Sequence, residues 1–375
     1  MESSTNESQH NPAASLTDDL LLEILARVPY RSLCRFQCVS RSWLALCSGS
    51  DLRKKLPRTL SGFFHHSKSR PPNNRYRYSI RLTNVDGGGL PVVDPSLSFL
   101  PTYAEVHLVD CCNGLLLFRC AKGTALRHIF VYAVCNPTTQ NWTELPDSEM
   151  TQQALTGSSM PIYLGFDPAL SSHFSVFSFV LSLHPSLDNL ETSLGIKGVE
   201  IYSSETGSWT YRKSGWSTND RLFTRPQSVF FNGILHLLTR DSSILTVDMA
   251  GVTWRRIPTP HRFEFIGLSQ GYLYAVRKYY DNDSRSIWIL KDYGGAKWGM
   301  KHTVKAQKFG INHLEHATLY TVIAIHPESS LIFLNSGIEK NLISYDMDKR
   351  TVRVICTPGS TCVQQVFPYV PCFTW

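Results

Sequence analysis

Asn136-Pro-Thr-Thr-Gln-Asn-Trp-Thr-Glu-Leu-Pro146 sets a pattern that returns as Tyr202-Ser-Ser-Glu-Thr-Gly-Ser-Trp-Thr210, Val247-Asp-Met-Ala-Gly-Val-Thr-Trp-Arg-Arg-Ile-Pro258 and Leu290-Lys-Asp-Tyr-Gly-Gly-Ala-Lys-Trp298. A fifth copy, Tyr345-Asp-Met-Asp-Lys-Arg-Thr-Val-Arg353, carries Thr351 where tryptophan would stand. The tryptophans are 67, 45 and 44 residues apart, and 53 more lead to Thr351. Each copy reads as strand, turn, strand. Upstream of several lies a hairpin with a centred turn: Cys112-Asn-Gly-Leu-Leu-Leu117, Phe231-Asn-Gly-Ile-Leu-His236 and Ser269-Gln-Gly-Tyr-Leu-Tyr274, with Ile325-His-Pro-Glu-Ser-Ser-Leu-Ile-Phe333 as a longer version. Asn-Gly between apolar strands is a strong hairpin signal because both turn residues need positive φ. A period of roughly 45 to 55 residues with four strands per unit is that of a β-propeller. Five or six blades are expected. The strand around Cys362 to Phe367 is expected to complete the blade begun near Ser61 to Phe64, closing the ring and removing its edges.

The amino-terminal part reads differently. Residues 1–14 are polar and aperiodic, and a disordered lead is expected there. In Ser15-Leu-Thr-Asp-Asp-Leu-Leu-Leu-Glu-Ile-Leu-Ala-Arg-Val-Pro29, Ser15 or Thr17 can cap a helix, Asp18 and Asp19 suit its positive end, and Pro29 stops it. The pattern predicts a helix from 16 or 17 to 28, a short one over 31–36, and a third over 39–47. Val39, Trp43 and Leu46 stand at i, i+4 and i+7 in the third, with Gly49 as terminator. Apolar residues at 16, 20, 21, 22, 24, 25 and 28 spread well beyond one stripe. Three helices this short cannot cover both sides of such an element. One face therefore packs within the unit, and the other docks on a partner or on the remainder of the chain.

The run Leu16-Thr-Asp-Asp-Leu-Leu-Leu-Glu-Ile-Leu-Ala-Arg-Val-Pro-Tyr-Arg-Ser-Leu-Cys-Arg-Phe-Gln-Cys-Val-Ser-Arg-Ser-Trp43 resembles the F-box, especially the plant form with its R-[LV]-P-x-[KR]-S-L-x-R-F-x-C-V-S-[KR]-x-W core. The resemblance implies docking to the Skp-type adaptor, and through it to the cullin and RING subunits, of an SCF ubiquitin ligase. By position in the motif, Leu16, Leu20, Ile24, Val28, Pro29, Leu33 and Val39 are expected at the adaptor interface. Leu21, Leu25, Phe36 and Trp43 are then internal to the unit. The family has Leu-Pro where this chain has Leu16-Thr17, which loses the fixed φ of proline and implies weaker adaptor binding. Further along, C-N-G-L-L, N-P-T-T-x-x-W-x-x-L-P, L-G-F-D-P (Leu164 to Pro168) and V-F-P-Y-V-P are similar to the F-box-associated domains of plant F-box proteins, a kelch-like group. The paired glycines of true kelch blades are largely missing. The expected organisation is a lead over 1–14, an F-box helical domain over 15–56 and an F-box-associated propeller-like domain over 57–375. The fold class is mainly β, a β-propeller-like domain of five or six blades preceded by a small three-helix F-box.

Composition agrees with a globular chain. With 375 residues, 42% hydrophobic and 18% charged, wholesale disorder, collagen and a coiled-coil rod are excluded. The stretch from Phe174 to Leu183 is broken by serines and is about half of what a membrane helix needs. The polar start is not a secretory signal, so the cytosol or nucleus is expected. The same expectation makes glycosylation at Asn6, Asn141 and Asn282 improbable. Ten cysteines contain no C-x-x-C pair, which argues against a disulfide framework or a zinc site.

Gly267-Leu-Ser-Gln-Gly271 matches G-x-S-x-G, but that motif needs a strand-to-helix elbow, and both flanks here are β-rich. The hairpin reading is preferred, and no catalytic residue is expected. His65-His66 and His313-x-x-His316 are the nearest histidine pairs, expected as exposed loop residues rather than metal ligands. No cofactor is expected, since neither a Walker loop nor a dinucleotide fingerprint is present. Charge is concentrated: Arg53, Lys54, Lys55, Arg58, Lys68, Arg70, Arg75, Arg77 and Arg81 lie between Leu52 and Val85 without an acid, leaving the rest slightly acidic despite a net +7. A solvated linker and first blade, an acidic partner surface, or nucleic acid would each use such a segment; no recognised binding motif supports the last.

These observations lead to the expectation of a non-catalytic substrate receptor. Its alternatives are a propeller lectin or carbohydrate-binding module, or an enzyme on a propeller, with the helical unit as accessory. The target is not legible. Loops 87–90, 187–194, 216–220 and 281–285 are candidates by length and polarity.

Overall fold

The computed structural model describes residues 16–28, 30–55, 59–69, 77–85, 93–124, 127–148, 161–184, 193–217, 220, 222, 227–239, 241–279, 284–309, 320–335, 341–356, 366–373 and 375. The expected lead, Pro29, His313, His316 and much of the basic segment lie outside them. The chain divides into two compact units, Met1–Pro57 and Arg58–Trp375.

The first unit has four helices among the described residues: α1 (Asp18–Leu25), α2 (Tyr30–Gln37), α3 (Arg41–Ser48) and α4 (Ser50–Lys55). The fourth corrects the expected three. Its only apolar residue, Leu52, offers no periodicity to read, yet it is fully buried with Leu25, Leu33 and Cys47. Phe36 and Trp43 pack against that core with ring centroids 5.3 Å apart. The first helix is shorter than expected because Arg27 and Val28 donate to Ile24 and Leu25, an i→i−3 tightening that unwinds the last turn. Val39 precedes α3 rather than belonging to it. Ser40 is the N-cap there, accepting from the Trp43 amide at 3.3 Å. Lys55 on α4 reaches Glu23 on α1 at 2.6 Å.

The second unit is a closed ring of six sheets. Blade one joins β1 (Gly62–Ser69) and β2 (Arg77–Asn84) to β23 (Val366–Tyr369). Blade two is β3 (Glu105–Cys112), β4 (Leu115–Thr124), β5 (Arg127–Asn136) and β6 (Asn141–Glu144); blade three is β7 (Ile162–Gly165), β8 (Ser175–His184), β9 (Ser193–Ser203) and β10 (Ser208–Lys213). Blade four is β11 (Ser228–Phe231), β12 (Ile234–Leu238), β13 (Ser243–Asp248) and β14 (Trp254–Pro258). Blade five is β15 (Phe265–Ser269), β16 (Tyr272–Tyr279), β17 (Ser284–Asp292) and β18 (Lys297–Lys305), and blade six is β19 (Thr321–Ile325), β20 (Leu331–Asn335), β21 (Leu342–Asp346) and β22 (Thr351–Cys356). All neighbours in a blade are antiparallel. The inner strands β23, β3, β7, β11, β15 and β19 pack side by side in a closed cycle.

Ring closure pairs the two ends as expected, though the closing strand is Val366–Tyr369 and residues 362–365 of the expected one lie outside the described residues. Gly62 to His65 on β1 stand opposite Tyr369 to Val366 on β23. Phe64 meets Tyr369 edge-on at 4.9 Å, and Phe63 meets Phe333 of blade six at the same distance. An apolar layer fills each of the six spaces between adjacent blades. In blade one, residues 93–103 pack Val93, Leu97, Leu100 and Tyr103 onto the layer shared with blade two, where other blades carry a fourth strand.

The repeated tryptophans have a structural reason. Trp209 of blade three donates its indole N–H to the Pro146 carbonyl of blade two at 2.8 Å, and Trp298 of blade five donates to Pro258 of blade four at 3.2 Å. These two outer strands are thereby tied to the proline closing the outer strand before them, whereas Trp254 donates to the Gly251 carbonyl of its own turn at 2.9 Å.

Candidate functional site

Antiparallel meanders sort the connections of the ring onto two rims. Turns between first and second strands, and between third and fourth, share one rim; the remaining connections leave from the other. The first rim is short and heavily bonded. Asn113 and Gly114, Asn232 and Gly233, and Gln270 and Gly271 all have positive φ, the type I′ geometry that the Asn-Gly signal predicted. Neighbouring turns bond to one another: Asn113 Nδ2 donates to the Phe166 carbonyl at 2.6 Å, and the Gln270 amide donates to Pro327. Asn136 Nδ2 holds the carbonyls of Cys372 and Trp375 at 3.0 and 3.1 Å. Of the four candidate loops, residues 87–90, 187–192, 218–219 and 281–283 lie outside the described residues. The strand ends His184, Ser193, Lys213, Tyr279 and Ser284 are on the opposite rim, and the end of β2, where Val85 donates to Ser61, is on the turn rim.

Parts of these loops that are described serve the architecture. Asp220, nearly fully buried, accepts from the Ser217 amide and receives Arg256 at 2.8 Å. Arg285 is 1% exposed, pairs with Glu264 at 2.7 Å and donates to the Tyr320 carbonyl across the boundary between blades five and six. Sequence reading had grouped it with solvent loops.

Chemical motifs do not assemble. Ser269 ends β15 and gives its hydroxyl to the His326 carbonyl at 2.7 Å, beside a hairpin turn and not an elbow. His65 and His66 are buried on β1, not exposed in a loop. Their Nε2 atoms face the Thr83 hydroxyl and the Leu108 carbonyl, and desolvation lowers both pKa values. Among the described residues no group of three or more His, Cys, Asp or Glu could hold a metal ion. No helix among them is long and apolar enough to cross a membrane.

The helical unit carries the clearest surface signal. On α1, Leu20 and Ile24 are 52% and 50% exposed, one turn apart, and Leu16 just ahead continues the i, i+4 spacing, also exposed. Val39 is 64% exposed, and Leu44, which sequence reading missed, is exposed as well. Val28 is half-buried. Leu33 departs from expectation: at 1% exposed it belongs to the core, because α2 turns Leu33 and Phe36 inward and Arg35 outward. Leu25 is buried, while Leu21, Phe36 and Trp43 are half-buried. Thr17 occupies the N-cap of α1 without a side-chain capping bond.

Comparison with known proteins joins these parts. Residues 14–55 match the model of the F-box domain, and residues 95–367 match "F-box protein At3g26010-like, beta-propeller". The chain is 26% identical over 306 residues to F-box protein At5g07610 of Arabidopsis thaliana, covering 76% of this chain and 70% of that protein. It is 25% identical over 359 residues to F-box protein At5g49610 of the same plant, covering 88% and 92%. A solved structure, "YCF48 bound to D1 peptide", is similar at a TM-score of 0.33 and 10% identity over 79% of this chain and 81% of that one. With a helical F-box leading into a six-bladed ring whose family model spans most of the sequence, the chain belongs to the F-box proteins with an At3g26010-like beta-propeller.

Proposed function

We propose that the protein is the substrate-recognition subunit of an SCF-type ubiquitin ligase, docking a Skp-type adaptor through its F-box and a target protein through its propeller. One observation carries the reading. α1 is apolar on two sides, and only one is used internally: Leu22 and Leu25 pack in the unit, whereas Leu20 and Ile24 are solvent-exposed. Exposed aliphatics at that spacing are the anchors of a helix-in-groove contact. Leu16, Leu20, Ile24 and Val39 are assigned to the adaptor face, with Val28 and Pro29 at its end, and Leu33 is withdrawn from it. The propeller then contributes proximity. A bound target is held near the conjugating machinery at raised effective concentration, with no bond chemistry in this chain.

The test is co-purification with a Skp-type adaptor. An anchor at an interface is worth at least about 2 kcal/mol, or roughly thirtyfold in affinity. Leu20→Ala with Ile24→Ala should abolish recovery of the complex while the circular dichroism of the β-rich unit is unchanged. Adaptor recovery equal to wild type would refute the docking face.

A further inference from the structure

Between Tyr293 and Leu314 the sequence holds lysines at 297, 301, 305 and 308 and no acid. The structure gives three of them a common purpose. Lys301, Lys305 and Lys308 line a groove of about 520 Å³ on the flank between blades five and six, and Arg350 enters it from the turn between β21 and β22. Among the described residues none of these four cations makes an ion pair. We propose that this groove binds an acidic segment of a partner protein, its carboxylate or phosphate oxygens received by Lys301, Lys305, Lys308 and Arg350.

The bland alternative is that lysines on an edge strand merely prevent unwanted pairing. One feature goes beyond that: Lys301 is the extra residue of a β-bulge, with Met300 opposite Trp288, His302 opposite Ile287 and Lys301 unpaired between them. Bulges re-aim side chains. Here the ammonium lies 2.8 Å from the hydroxyl of Tyr274. Arg350 has φ of 57° in the last turn position before its strand, the conformation that Gln140 and Ala296 also hold in blades two and five, so the turn common to the blades presents its guanidinium at the groove mouth.

His302 completes the wall, its Nε2 2.9 Å from the Tyr345 hydroxyl. Burial and then the Arg350 charge lower its affinity for a proton, with Asp348 opposing. A bound anion would reverse the Arg350 influence, so the His302 ring signal reports occupancy. Protein is favoured over nucleic acid because Tyr345 is buried and offers no face on which a base could stack.

The site deepens the receptor reading and rests on it only for calling the bound segment a target. Binding is measured on the full chain without adaptor, so either reading can fail alone. The probes are a fluorescein-labelled glutamate-rich peptide, its phosphoserine-bearing form, a glutamine counterpart and an oligouridylate. Both acidic peptides should bind and raise the His302 pKa by NMR, and the glutamine peptide should not. Tighter binding of one acidic form identifies phosphate or carboxylate as the natural group. Lys305→Glu and Arg350→Gly should each weaken binding about tenfold or more. Arg350→Gly should melt no lower than wild type, since glycine suits that φ. Affinity unchanged in both variants, equal binding of the glutamine peptide, or preference for the oligouridylate would overturn the proposal.

Discussion

Three turns of the same type, at Gly114, Gly233 and Gly271, allow a stability argument to be tested within one molecule. Each glycine has positive φ, 90°, 74° and 76°. Alanine at positive φ costs about 1 to 2 kcal/mol wherever it is placed. Their surroundings differ. A Cβ on Gly271 meets nothing within 4 Å, and one on Gly233 meets only the Met249 sulfur at 4.0 Å. On Gly114 it would lie 2.5 Å from Cys372 Cβ, 2.6 Å from the Cys372 amide nitrogen and 2.6 Å from the Val370 carbonyl oxygen. That backbone must move, and it is the strand exit that Asn136 clasps through two hydrogen bonds. Losing both adds about 2 kcal/mol at roughly 1 kcal/mol each. Gly233→Ala and Gly271→Ala should therefore cost about 1 to 2 kcal/mol, and Gly114→Ala about 3 to 4 kcal/mol. Urea unfolding followed by tryptophan fluorescence reads the propeller, because seven of the eight tryptophans follow residue 58. Equal losses in all three variants would refute the argument that a Cβ at 114 displaces residues 370–372 from the Asn136 clasp.

Other perturbations probe different parts. Arg285→Ala leaves Glu264 and the Tyr320 carbonyl without their partner and should cost about 3 to 5 kcal/mol by the same urea assay; a loss under 1 kcal/mol would show the clasp to be idle. Thr17→Pro should stabilise the helical unit by about 0.4 to 1 kcal/mol, since Thr17 already has φ of −70° and makes no side-chain cap; slower amide exchange in α1 is the readout. His236 gives a pH test. Its Nδ1 faces the carbonyls of Val229 and Ile234, which only accept, so Nδ1 carries the proton and Nε2 accepts from Tyr293 at 2.8 Å. Burial lowers its pKa to about 4. The folded value lies below the unfolded one, so the contribution is full above about pH 6.5 and is lost as pH falls toward 4, roughly 3 kcal/mol in all. The urea midpoint of His236→Gln should vary less than wild type across that window; parallel curves would reject the assignment.

The propeller was legible because its repeat rests on local chemistry. Asn-Gly turns and the tryptophan-to-proline bonds work within a blade or between adjacent ones, so they leave a period in the sequence. Blade one was harder to count. It has no repeat tryptophan and is assembled from β1, β2 and β23, nearly 300 residues apart, which is why five and six blades were both open. In the helical unit, position within the motif placed Leu33 outside, but the inward turn of α2 depends on Leu52 and Cys47, whose packing no spacing announces. His65 and His66 look like surface residues in a basic stretch. A strand buried against blade two takes them inside and supplies hydrogen-bond partners from residues 83 and 108. The cationic groove is not local at all, since Arg350 joins Lys301 and Lys305 only through the packing of two blades.

The division of the ring into two rims bears on where a target can be read. The turn rim has little freedom. Its residues are fixed by positive φ at the hairpins, by the Asn113 and Ser269 bonds to the next blade, and by the Asn136 clasp on residues 372 and 375. A substitution at those hairpin and clasp positions strains closure before it alters recognition; Arg350, in the outer β21–β22 turn, makes none of these contacts. On the opposite rim, the described anchors Asp220–Arg256 and Arg285–Glu264 lie beside strand ends. Length and composition can therefore change between those anchors at small cost to the ring. Three of the four loops singled out by polarity leave from this rim, and the flank groove between blades five and six has Lys305 and Lys308 at the same end. Specificity is expected to follow substitutions on that rim and in the flank groove, Arg350 included, and closure stability those at the bonded hairpins and the Asn136 clasp. Exchanging loops 187–192 and 281–283 for short Gly-Ser links should therefore alter target capture while leaving the unfolding free energy from urea within about 1 kcal/mol of wild type. A large loss of stability would mean that both rims carry closure and that the division has no functional content.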